Sequence, residues 1–82
     1  MAAPQDSLDQ LCDGELDALI RAAVAELTSR GTTESFALLV ALSGLVGTSL
    51  GEAARLVAER GSWSQVAQIS GTTKQAAWSR WR

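Results

Sequence analysis

The sequence predicts an all-α chain of about five helices, on three observations. Apolar residues recur at three- and four-residue spacings along nearly the whole length, the period of a helix with one buried face. Gly31, Gly47, Gly61 and Gly71 each follow such a stretch, in the place where a left-handed residue closes a helix. Ser7 with Gln10, Ser49 with Glu52, Ser62 with Gln65 and Thr72 with Gln75 have the spacing of a capping box, which marks helix starts. Strict alternation of apolar and polar residues is never sustained and β-branched residues do not cluster, so no strand is expected.

The first helix, about Leu8 to Ser29, carries Leu8, Leu11, Leu16, Leu19, Ile20, Ala23, Val24 and Leu27 as one stripe, with acidic residues over the rest. Gly14 interrupts it, and a break there would leave a short arm and a longer body capped by Asp13. Cys12 reads as a half-buried residue of this amphipathic helix, and a single cysteine forms no intrachain disulfide.

The second helix, roughly Thr33 to Val46, is the most apolar piece, and no charge occurs from Ser35 through Gly51. A membrane span needs about 20 apolar residues. This stretch is shorter and broken by Ser43, Gly44, Gly47, Thr48 and Ser49, so a buried helix is expected and no membrane partner. Phe36, Leu39, Val40, Leu42 and Ser43, with Gly44, are the candidate dimer interface. The alternative is a central helix wrapped by the other four within one monomer.

The third helix, about Leu50 to Arg60, places Leu50, Ala53, Ala54, Leu56, Val57 and Ala58 toward the two C-terminal helices. Whether it merges with the second into one rod is open, because glycine weakens a helix without always ending it. The division expected is an acidic and apolar dimerisation region over 1–47 and a trihelical unit over 48–82.

The last twenty residues, Trp63 to Arg82, read as two short helices around Gly71. Ala67, Gly71 and Ala77 are small enough to let the two helices cross closely. Ser62-Trp63, Val66-Ala67, Gly71, Gln75-Ala76-Ala77-Trp78 and Arg80-Trp81 together resemble the C-terminal motif of small actinobacterial helix-turn-helix proteins, typically written SW-x-x-IA-x-x-LG-V-S-R-QAA-W-x-RF. The match covers about a quarter of the chain. Ser70 and Thr72 stand where that motif has apolar residues, and Ile69 is expected to fill their space. The resemblance implies regulation or nucleoid-related binding.

In a helix-turn-helix the second helix enters the major groove, with residues near its start reaching base edges. The recognition helix would span about 73–82. Thr73, Lys74, Gln75 and Ser79 are then the base-edge candidates, since glutamine can pair with adenine N6 and N7 and lysine can donate to guanine O6 and N7. Ala76 would touch a thymine methyl. Arg80 and Arg82 would bind phosphate, helped by Ser62 and Gln65 at the preceding helix start. Each has a plainer competitor: Gln75 as the capping partner of Thr72, and Arg80 as a solvated charge. Trp63 and Trp81 are expected in the core, and Trp78 at the rim of the DNA-facing surface or in a partner interface.

Charge is divided along the chain. Residues 1–34 hold two basic against seven acidic groups, net −5, and residues 35–82 hold five against two, net +3. A basic end is the electrostatic footprint of a phosphate-facing surface, and the acidic end would be held away from it. The chain has no histidine, no paired nucleophile and base and no glycine-rich phosphate loop, so neither an enzyme nor a metal or cofactor site is expected. Met1 to Gln10 is acidic and polar, unlike a secretory leader, so a cytoplasmic, nucleoid-associated protein is expected.

At 82 residues the chain has little surface to bury alone, which favours self-association. The function expected is sequence-specific duplex DNA binding by a homodimeric transcriptional regulator. Its rivals are an adaptor that uses the same scaffold without DNA, and a plasmid, phage or antitoxin-type factor whose acidic N-terminal helix engages a protein partner.

Overall fold

The computed structural model describes residues 7–82, and the share of the leader reading that rests on residues 1–6 lies outside them. The described chain is helical throughout, without a strand. A 3-10 turn, Leu8–Gln10, precedes α1 (Asp13–Arg30), α2 (Thr33–Arg60), α3 (Trp63–Ser70) and α4 (Lys74–Trp81). The count is therefore four α-helices where five were expected, because α2 runs without a break through Gly44, Gly47 and Gly51. Gly47 keeps a negative φ, and only Gly31 (φ 60°) and Gly71 (φ 72°) take the left-handed conformation that closes a helix. Ser49 lies in mid-helix, where its spacing to Glu52 caps nothing.

The chain divides into two compact units, Met1–Val40 and Ala41–Arg82. In the first, α1 begins one residue earlier than a cap at Asp13 would allow. Cys12 holds the cap position and is exposed, not half-buried, and its N–H donates to the Glu15 carboxylate at 3.0 Å. That bond, made to the charged form, holds the Glu15 carboxyl below its ordinary value of 4.5. Ser7 makes no side-chain cap; the turn is closed by its carbonyl, which accepts from Gln10 N–H at 3.1 Å. At the start of α2, Thr32 and Ser35 cap each other: Thr32 N–H donates to Ser35 Oγ and Ser35 N–H to Thr32 Oγ1, both at 3.0 Å. Ser35 is the one buried residue described in this unit, while Leu11, Leu16, Leu27 and Leu39 are half-buried. Leu19, Ile20 and Phe36 stay exposed.

In the second unit, the core consists of Ala54 from α2, Val66 and Ala67 from α3 and Ala77 from α4, with Ala58, Trp63 and Trp81 packed against it. Small residues meet at the crossing, so the helices approach closely, and Ala77 is fully buried. The part of α2 that faces α3 and α4 is the line Gly51, Ala54 and Ala58. The expected inward residues Leu50, Leu56 and Val57 are exposed. At about 100° per residue Leu56 lies far from that line, whereas Leu50 and Val57 border it next to Ala54 and line a recess with Val66 and Trp81. The most apolar stretch of α2 has a mean hydropathy of 1.6 and is 0% buried, and by length and composition the helix is long and apolar enough to cross a membrane.

Candidate nucleic-acid interface

Sequence dictates the turn between α3 and α4 closely. Ser62, in extended conformation, accepts from Gln65 N–H at 3.2 Å and starts α3. The Gln65 amide folds back over Gly61, where any side chain would collide with it. Gly71 ends α3 in the left-handed region, and Thr72 N–H donates to the Ala67 carbonyl at 3.0 Å, the long hydrogen bond of a Schellman closure. Thr73 then caps α4 by accepting from Ala76 N–H at 3.1 Å. The expected pairing of Thr72 with Gln75 is displaced by one residue. Gln75 consequently takes no part in the cap bonds of α4.

Ile69 does not fill the space beside Ser70 and Thr72, as it is 82% exposed. One position before Ser70 means a rotation of about 100° on the helix, which carries Ile69 out of the packed side. Ser70 satisfies itself, donating to the Val66 carbonyl at 2.7 Å.

Ala77 and Trp81 turn α4 inward, which leaves Gln75, Ala76, Ser79 and Arg82 on the opposite side, all exposed. Arg80 flanks that side next to Ala76, whereas Lys74, in the first turn, shares the face of Ala77 and Trp81; both are exposed. Thr73, exposed, and Ser62, half-buried, use their hydroxyl oxygens as cap acceptors. Their hydroxyl hydrogens can still be donated outward. From Gly61 to Arg82 there are three basic residues and no acidic one, which makes this the most positive segment of the chain.

Two tryptophans order the arginines beside them. The Arg82 guanidinium lies 4.2 Å from the centroid of Trp78, and that of Arg80 lies 5.0 Å from the centroid of Trp81. Trp78, 44% exposed, forms the rim of the α4 surface, and Trp63 and Trp81 pack on the core as expected. Sequence reasoning missed Arg55, whose Nη1 donates to the Trp81 carbonyl at 3.0 Å. Its i+26 separation left no local signal.

Among the described residues no cluster of His, Cys, Asp or Glu could hold a metal ion. Of the five residues expected at a dimer interface, Phe36, Leu39, Val40 and Ser43 follow the spacing of one helix face and Leu42 lies at its edge; Phe36 is 67% and Val40 56% exposed, Ser43 is exposed, and Leu39 and Leu42 are half-buried. Compared with family models, curated proteins and solved structures, the chain matches none.

Proposed function

We propose that the chain binds duplex DNA as a homodimer, placing α4 in the major groove in the manner of a helix-turn-helix reader, and acts as a small cytoplasmic, nucleoid-associated transcriptional regulator. The observation that carries this reading is the outward side of α4. It presents a hydrogen-bonding amide, a methyl group, a hydroxyl and a guanidinium, from Gln75, Ala76, Ser79 and Arg82, on a segment without acidic residues. These groups match what base edges and phosphates accept and donate. The Gly71 turn and the two side-chain caps fix where that side begins.

One such helix spans only a few base pairs, and two related by a two-fold axis would read half-sites about one helical turn apart. With so few basic groups per subunit, binding would be modest and steeply salt-dependent. The test is fluorescence anisotropy of a labelled duplex over a salt series. The comparison is with a Lys74→Ala, Gln75→Ala, Arg80→Ala triple variant of unchanged helicity. Binding that weakens with salt and vanishes in the variant supports the reading. No binding even at low salt would transfer the function to the adaptor alternative and to the acidic surface of α1.

A further inference from the structure

The downstream half of α2 is built inside out for a monomer. Its small residues Gly51, Ala54 and Ala58 face α3 and α4, while Leu45, Val46, Leu56 and Val57 are 59%, 60%, 48% and 38% exposed. Together with Ser49 and Ala53 these four occupy one side of the helix about 120° wide. Thr48, Glu52, Arg55 and Glu59 form a separate polar strip.

The order of this apolar side is symmetric about position 51. Leu45 mirrors Val57, Val46 mirrors Leu56, and Ser49 mirrors Ala53. Across a two-fold axis residue i meets j and j meets i, so in an antiparallel contact of this helix with its own copy this order pairs large apolar residues with large and small with small. The small pair falls at the centre, where the helices cross most closely, and the large pairs fall outside it. An apolar recess of about 120 Å³ opens beside Ala53 and Val57, against Val66, Ile69 and Trp81. It can receive a leucine-sized group.

We infer that a second copy of this chain covers the Leu45–Val57 side of α2 in an antiparallel two-fold contact centred at position 51, with Leu45 of one copy entering the recess of the other. The inference rests on burial and residue order and is independent of the DNA-binding reading. A lipid occupant fits less well, since this part of α2 is one-sided and carries Glu52, Arg55, Glu59 and Arg60.

The test is sedimentation of the whole chain together with cross-linking. Wild type is expected to be a dimer, and Leu45→Glu or Leu56→Glu to weaken self-association by roughly 30-fold or more at unchanged helicity. In a Cys12→Ser background, mixed Ser49→Cys and Ala53→Cys chains are expected to form a mixed disulfide in preference to either homodisulfide. If a glutamate variant loses helicity, the cross-link decides alone. A monomeric wild type, a dimer lost in Phe36→Asp but kept in Leu45→Glu, absence of the mixed disulfide, or monomers that pellet with phosphatidylcholine vesicles would each overturn the inference.

Discussion

Arg55 Nη1 donates to the main-chain carbonyl of Trp81 at 3.0 Å, so a side chain from α2 closes the C-terminal end of α4. The carbonyls of a last helical turn have no partner within the helix, and a cation there also meets the negative end of the helix dipole. Gly51, one turn earlier on α2, lies beside the Trp81 indole, and a Cβ there would stand in ordinary contact, 3.6 Å from Trp81 Cδ1. The segment that carries Arg80 and Arg82 is thereby tied to α2.

Arg55→Ala is expected to lower stability by about 1 kcal/mol, a value kept small by the exposure of the bond. Thermal unfolding would register this as a fall of roughly 4–8 °C in Tm. Arg55→Lys, which cannot reproduce the planar donor, should recover only part of the loss.

The glycines of α2 and of the α3–α4 turn should respond in opposite directions. Gly47 is helical and a Cβ there meets nothing within 4 Å, so Gly47→Ala is expected to stabilise by about 0.5–1 kcal/mol. Gly71, at φ 72°, should lose about 1–2 kcal/mol on change to alanine. Parallel denaturant titrations of the two variants would check both signs.

Ala77 has no exposed surface and Ala76, beside it, is exposed. Ala77→Leu would overpack the crossing of three helices and is expected to cost about 1–3 kcal/mol. Ala76→Leu should leave the melting curve almost unchanged and impair DNA binding, which anisotropy would separate from a stability effect.

Glu15 gives a pH signature. Its carboxyl is held low by the Cys12 N–H, so the stability that it contributes is fully present above its ordinary value of 4.5 and is lost as pH falls through its lowered value. Amide exchange at Cys12 should accelerate as pH falls below 4.5 once the intrinsic rate is corrected, and Glu15→Gln should abolish that step.

On the DNA surface, Arg82→Ala is expected to reduce the slope of log affinity against log salt by about one. Gln75→Ala should leave the slope unchanged and relax base preference at one position, worth about 1–3 kcal/mol. Trp78→Ala would release the Arg82 guanidinium from the ring that it now covers and weaken binding without altering the slope.

Sequence reading found the all-α class, the closures at Gly31 and Gly71, the start of α3 at Ser62 and, of the core, Ala54, Ala67, Ala77 and two tryptophans. Those features depend on local spacing and on a conformation that only glycine adopts cheaply. It divided α2 at Gly47 because a glycine after an apolar run marks a helix end only when the backbone turns left-handed, and composition does not reveal φ. The Thr32–Ser35 cap escaped it because serine stands where the usual capping box has a glutamate or glutamine. The inward line of α2 was misjudged in part. Ala54 and Ala58 were expected to face the core and do, whereas Leu56, expected with them, is exposed and Gly51, which has no side chain to mark it, was missed.

Gly44, Gly47 and Gly51 each cost α2 about 1 kcal/mol relative to alanine, so a helix of this composition holds poorly by itself. If a second copy sustains it, the folded population follows the concentration of the chain by mass action. Dilution would then act as an instability of its own: at low abundance α2 would loosen and be open to proteolysis, and the lifetime of the protein would lengthen as its level rises.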